Sequence, residues 1–273
     1  MVLRDAGNLI VHLSPFPIVA RVARLSEGDD PNFWRTIWSD EIKVATHLMK
    51  QGIPVVPYLR VVPAGPYFVG GTWMTLWEYI EPAPIPKLSI LEIVGMVNEL
   101  VTAMSDFQEP LPALGAWRNV GQAADFVSSI RDDDRIARLL AAYEDVNERI
   151  ESEGLYPAHG DAHQGNLLAS STGWQWIDFE DVSLMPKFWD FACLIGNTAL
   201  FRGLKDSSVE TVLAQRAVSQ DPSPFRFALK ARVIMSTLTN LDLALKGHGD
   251  LDFSRQQLAR IHDFLNILDP KKP

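Results

Sequence analysis

The sequence predicts an α+β chain with a small β-rich amino-terminal part and a larger, mostly helical carboxy-terminal part. Three observations carry this. Strand-like apolar runs crowd the first 80 residues, the proline-rich string Glu81-Pro-Ala-Pro-Ile-Pro86 follows, and beyond it apolar residues recur at three- and four-residue steps. The proline-rich string places the boundary, giving an amino-terminal lobe over residues 1–81 and a carboxy-terminal lobe over 82–273.

The elements follow in order. Residues 9–13 and 18–25 read as strands, divided by Ser14-Pro-Phe-Pro17, and Arg21 falls among apolar neighbours in the second of them. Phe33, Ile37, Trp38, Ala45, Leu48 and Met49 recur with helical spacing, and Gly52 ahead of Ile53-Pro54 stops that helix. Residues 68–80 form a further apolar, strand-like run. Ser89 and Glu92 stand at capping-box spacing, with Ile90, Val94, Val97, Val101 and Met104 on one face. A long helical stretch over 121–153 breaks at Asp132-Asp-Asp134. Short strands at 166–169 and 174–177 flank a Ser-Ser-Thr-Gly turn. Residues 224–246, stopped by Gly247, and 251–268 are helical again.

Composition excludes several classes. With 47% apolar and 22% charged residues, the 273-residue chain is neither disordered nor low in complexity, and each lobe has enough chain for a core. Twenty-five basic against 34 acidic residues leave a net charge of −9, which disfavours binding to a nucleic-acid backbone. A lone cysteine, Cys193, excludes an intrachain disulfide or a multi-cysteine zinc site and fits a reducing compartment. The leading MVLRDAGN carries charges where a signal peptide needs an apolar core. The window from Tyr67 to Trp77 is too short and too glycine-interrupted to span a bilayer. The expectation is a cytoplasmic protein without membrane or nucleic-acid partners.

The chemistry concentrates in His159-Gly-Asp-Ala-His-Gln-Gly-Asn166 and Ile177-Asp-Phe-Glu-Asp181. Asp161 lies on a short polar loop, Asn166 five residues later, and Asp178 ends a strand that a hairpin folds back beside that loop. Three oxygen-bearing side chains then converge from two segments, a donor set suited to Mg²⁺ shared with phosphates. An Asp-x4-Asn spacing followed by Asp-Phe is the layout of phosphoryl transfer, in which one Asp accepts a hydroxyl proton and the Asn and second Asp hold metal. A rival reading takes His159, Asp161 and His163 as the ligands of a zinc hydrolase. It needs further ligands from His12, His47, His248 or His262, none in a ligand motif, and leaves Asn166 and Asp178 unexplained. The chain has no P-loop string, no G-x-G-x-x-G and no G-x-S-x-G elbow.

With HGDAHQGN at 159–166, WIDFED at 176–181 and Phe188-Trp-Asp-Phe-Ala192, the sequence resembles the aminoglycoside phosphotransferase family, relatives of choline and other small-molecule kinases. The resemblance implies a bilobal protein-kinase-like fold and transfer of the γ-phosphoryl of ATP or GTP, with Mg²⁺, to a hydroxyl of a small-molecule acceptor. It makes Asp161 the catalytic base, Asn166 and Asp178 the Mg²⁺ ligands, and Asp190 the anchor of the catalytic-loop backbone. His159 would orient that loop, and His163 would be a structural residue of it. The resemblance places Arg21 as the strand residue that holds nucleotide phosphates, Glu41 as its helix partner, and backbone groups of Glu78 and Ile80 at the adenine. Arg24 is an equally basic neighbour of Arg21, Glu41 could be a solvated helix charge, and Trp77 and Tyr79 could be core.

The chain also departs from that pattern. If residues 9–13 are the second strand, residues 1–8 must supply the first strand and the phosphate-covering loop, with Gly7 the only glycine there. This keeps open a catalytically degenerate nucleotide- or metabolite-binding protein. Eleven residues separate Asp178 from Asp190, too few for an activation segment, which favours a small acceptor over a protein. Glu180 and Asp181, with the net negative charge, point to a cationic acceptor such as an aminoglycoside or other amino compound, or else serve Mg²⁺ or water.

Overall fold

In a computed structural model, which describes residues 1–24, 30–59, 62–63, 65–130 and 133–268, the amino-terminal part is built on one antiparallel sheet. Strands β1 (Val2–Ala6), β2 (Asn8–His12) and β3 (Ile18–Val22) precede the long helix α1 (Pro31–Lys50), and β4 (Tyr67–Val69) and β5 (Thr72–Glu78) follow it. The sheet order is β1-β2-β3-β5-β4. Gly7, at φ +70°, is the whole connection between β1 and β2, so the first hairpin has no long glycine-rich loop.

The run over residues 68–80 is not one strand. Gly70 and Gly71, at φ +61° and +87°, turn the chain back, so that β4 and β5 pair as a hairpin with Val69 opposite Thr72. The expected strand over 18–25 ends at Val22, and Leu25 lies outside the described residues. Helix α1 buries Trp38, Val44, Ala45 and Leu48, begins at Asp30, whose side chain accepts from Asn32 N–H, and ends ahead of Gly52 at φ +79°.

The chain then runs without regular structure through the proline-rich string into α2 (Ile90–Ser105), where Ser89 and Glu92 form the expected capping box. Helices α3 (Val120–Ile130) and α4 (Asp134–Arg149) are separate, with Asp133 capping the second; Asp132, named in the expected break, lies outside the described residues. Two small antiparallel pairs come next. Strand β6 (Leu155–Ala158) pairs with β9 (Ser183–Pro186), and between them in sequence β7 (Leu167–Ser170) pairs with β8 (Gly173–Trp176). Helices α5 (Trp189–Arg202), α6 (Ser207–Leu213), α7 (Arg216–Gln220), α8 (Pro222–Leu245) and α9 (Leu251–Leu268) complete the chain. Helix α5 starts at the Trp-Asp pair, as the third motif requires. The pair β6–β9 and the short helices α6 and α7 have no counterpart in the sequence reading.

The main core lies among α2, α3, α5, α8 and the two hairpins, where Trp176, Phe179, Met185 and Trp189 are essentially solvent-free. This core fixes the site. It grips the chain on both sides of the 159–166 loop and the 177–181 turn through Ala158, Leu167, Trp176 and Val182.

Candidate active site

The 159–166 loop is anchored from below. Asp190, in the first turn of α5 and 2% exposed, accepts hydrogen bonds from the backbone N–H groups of His159 (3.0 Å) and Gly160 (3.1 Å). Burial raises the Asp190 pKa, while the hydrogen bonds from the two amides pull it back. Trp189 Nε1 donates to Gly160 O at 2.8 Å. Gly160, at φ +90°, must be glycine, because a Cβ there would stand 2.1 Å from the Asp181 carbonyl oxygen. The closeness of the two loops is thus set by this one residue.

His159 is fully buried, and both ring nitrogens are engaged. Nε2 donates to Ile177 O at 3.2 Å and Nδ1 accepts from Asp161 N–H at 3.3 Å. A ring so committed ties the two motif segments together and has no lone pair to offer a metal, which removes the zinc-hydrolase arrangement. His163 sits differently. Its Nδ1 accepts from Gly165 N–H (2.9 Å), leaving Nε2–H to donate to Asp161 Oδ2 (3.2 Å). The expected structural residue therefore also touches Asp161.

Asp161 is ringed by donors: Arg232 Nη2 on Oδ1 (2.7 Å), and His163 and Asn166 Nδ2 (3.2 Å) on Oδ2. Burial works against its charge, yet the His163 hydrogen bond and Arg232 hold the carboxyl well below the usual carboxylate range. Asn166, 5% exposed, also donates Nδ2 to Asp161 O (2.9 Å), and its backbone carbonyl accepts from Ile177 N–H (3.0 Å). With Nδ2 spent on Asp161, Oδ1 is the atom Asn166 can turn to a cation. Asp178, the next residue after Ile177, is partly open and takes φ +70°, a left-handed conformation that Asp tolerates better than most residues. An amide oxygen and a carboxylate are hard oxygen donors of the kind Mg²⁺ binds, so these residue types fit that ion.

Across the cleft, Arg21 is buried in mid-strand and bonds to Glu41, Asp178 and Glu180, the last at 2.6 Å. Its guanidinium lies over the Trp38 ring, 4.8 Å from the centroid. Arg24, the rival basic residue, is exposed and pairs with Asp5. Glu41 is 1% exposed, and burial pushes its pKa up to about 7 against the pull of Arg21. It is no solvated helix charge. Asn8 Nδ2, next to Gly7, donates to Glu180, and Arg4 lies 3.9 Å from Asp178.

A cleft of about 330 Å³ opens between the sheet and the β7–β8 hairpin. Its walls include Val19, Val56, Leu168 and Ile177, with Arg21, Glu41 and Asp178 at the polar end. Trp77, Glu78, Tyr79 and Ile80 border it. Glu78 N–H is taken by Pro57 O (2.9 Å) and Tyr79 N–H by Pro17 O (2.9 Å). Trp77 is core, 8% exposed, and Tyr79 stacks on His12 at 3.8 Å.

Asp181 bonds to Arg118 at 3.2 Å. Burial pushes its carboxyl up to about 6, with Arg118 opposing and Glu180 adding to the rise. Arg118 also lies over the half-exposed ring of Phe33 on α1, 5.4 Å from the centroid, and so spans the two parts of the chain. The sequence reading missed Arg118, Arg232, Asn8 and Arg4. Only the position of Asn8 and Arg4, within the eight residues expected to cover phosphates, hinted at any of them.

Comparisons with known proteins bear on the family and on the fold. The model of the phosphotransferase enzyme family (APH) matches residues 36–228, and the chain belongs to that family. No curated protein matches it in sequence. Among solved structures it is similar to the amicoumacin kinase hAmiN in complex with AMP-PNP, Ca²⁺ and Ami, at 16% identity and TM-score 0.66, covering 99% of this chain and 88% of that one. It is similar to the choline kinase LicA from Streptococcus pneumoniae at 16% identity and TM-score 0.65, covering 98% and 95%. A thermostable mutant of aminoglycoside phosphotransferase APH(4)-Ia, in ternary complex with ADP and hygromycin B, gives 13% identity and TM-score 0.63, covering 97% and 92%. The fold is accordingly the bilobal protein-kinase-like fold.

Proposed function

We propose that the protein transfers the γ-phosphoryl group of ATP or GTP to a hydroxyl of a small molecule. The observation that carries this is that Arg21, paired with Glu41, and Asp178 in its left-handed turn line one end of the cleft, while Ile177, the neighbour of Asp178, is hydrogen-bonded to Asn166 of the bonded Asp161–Asn166 pair. The lobes divide at residue 81, and the apolar cleft takes the purine. Glu78, its N–H already used, has its carbonyl to offer, and Ile80 its N–H. Arg21 and Arg4 meet the phosphates. Asp178 and Asn166 Oδ1 would hold Mg²⁺, which supplies charge neutralisation on the phosphoryl group.

Asp161 orients the acceptor hydroxyl. A bond forms between the acceptor oxygen and phosphorus as the bond to the bridging oxygen breaks. The nucleoside diphosphate leaves with that electron pair, and the acceptor proton passes to Asp161 and on to solvent. A carboxyl held so far below the usual range is a weak base, so its main work is orientation, which suits a loose transition state. His159 and Asp190 hold the loop in place.

The amino-compound reading of the acceptor now has to account for the pairing of Glu180 with Arg21 and of Asp181 with Arg118. A cationic acceptor must compete with two arginines for these carboxylates. The test is a thermal-shift screen of hydroxylated amines and sugars with Mg²⁺ and a non-hydrolysable ATP or GTP analogue, followed by nucleotide-consumption assays on each hit. Nucleotide-dependent phosphorylation of any hydroxyl compound supports the reading. Binding of nucleotide without transfer to any of them favours the degenerate, binding-only alternative.

A further inference from the structure

Arg232 is a charged residue in a run of buried ones. It stands on α8 between Ala231 and Val233, which are 0% and 1% exposed, and its guanidinium reaches Asp161 Oδ1 at 2.7 Å across 71 residues of sequence. Its stem passes α5 at Gly196, where an added Cβ would stand 3.4 Å from Arg232 Cγ, an ordinary packing distance. Taking a guanidinium out of water is costly, and a buried ion pair is often no more stabilising than apolar residues of the same volume. Packing alone therefore does not explain an arginine here.

The local charges do. Asp161, Asp178, Glu180 and Asp181 lie close enough that the first three all raise the pKa of the fourth. Arg21 pairs with Asp178 and Glu180, and Arg118 with Asp181. Arg232 is the arginine on Asp161, and its side chain is 17% exposed. We propose that Arg232 is a positioning residue for phosphoryl transfer. It fixes the Asp161 carboxylate opposite His163 and Asn166 and offsets its charge, so that a hydroxyl and an anionic phosphoryl group can meet beside it. This rests on the phosphotransferase reading above.

The test uses Arg232→Met and Arg232→Lys in the full chain, with Mg²⁺ and ATP or GTP as donor and water as acceptor, followed by phosphate release. Arg232→Met should keep the nucleotide affinity and lower kcat by roughly 10²-fold. Guanidinium ion added to Arg232→Met should recover about tenfold of that loss, and Arg232→Lys should keep part of the rate through its charge alone. Guanidinium should do nothing for Asp161→Ala. A folded Arg232→Met with wild-type kcat overturns the inference, as does a loss that neither guanidinium nor lysine relieves, which would make Arg232 a structural brace. If Arg232→Met does not fold, the lysine variant decides: wild-type kcat and affinity together overturn the inference, a reduced kcat at unchanged affinity supports it. A wild type that neither binds nor turns over either nucleotide defeats the phosphotransferase reading itself, and this inference with it.

Discussion

Asp161 accepts hydrogen bonds from Arg232, His163 and Asn166, so its carboxylate is ionised and fixed before any acceptor arrives. Asp161→Ala should lower turnover by roughly 10²–10⁴-fold while nucleotide affinity stays near wild type, because the interaction is made mainly in the transition state. Equal losses in binding and turnover would make it a metal or structural residue. Asp181 offers a pH test. Its folded pKa of about 6 lies above the ordinary 3.8, so between about pH 4 and 6 the folded state holds the extra proton. Stability is then lost as pH rises through that window. In metal-free buffer the wild type should lose melting temperature relative to Asp181→Asn over this range, and parallel curves would contradict the assignment. Gly160→Ala, forcing a Cβ against the Asp181 carbonyl, should cost more than about 3 kcal/mol in urea unfolding.

At the scale of elements, what was legible followed from local rules. The Ser89–Glu92 capping box and the Gly52 and Gly247 stops each depend on neighbours a turn away, so spacing alone reveals them, whereas the Trp-Asp start of α5 followed only from the family resemblance. Ser89→Ala should destabilise α2 by about 1 kcal/mol, measurable by chemical unfolding. The strings around Asp161 and Asp178 were legible for a similar reason, since a short hairpin forces them together. The rest was hidden by distance. Arg118 and Arg232 meet their carboxylates across 63 and 71 residues, and nothing in the flanking sequence marks either. Strand pair β6–β9 contains Pro157 and Pro186 and lacks clean alternation, so the usual strand signal fails there. The 68–80 run read as one strand because its apolar content outweighed the Gly70-Gly71 pair, which in fact turns the hairpin.

Across the whole molecule, the net charge of −9 does not translate into a bare acidic cleft, because arginines from β3, the segment before α3 and α8 pair with the carboxylates of the site. An acceptor held by exposed carboxylates elsewhere would show a KM that rises with added salt, whereas one recognised by hydroxyls would show a flat KM. The former outcome supports an amino acceptor and the latter withdraws it. Among the described residues no helix is long and apolar enough to cross a membrane.

The central claim is that the two parts of the chain close on a Mg²⁺-nucleotide held through Asp178, and calorimetric titration with a non-hydrolysable ATP or GTP analogue tests it most directly. Binding should depend on Mg²⁺ and be lost in Asp178→Ala, which should still unfold in one cooperative transition, at a melting temperature lowered by the loss of one of the three carboxylates on Arg21 and by a left-handed turn that alanine tolerates less well. Equal affinity in wild type and Asp178→Ala, or binding indifferent to Mg²⁺, would contradict it.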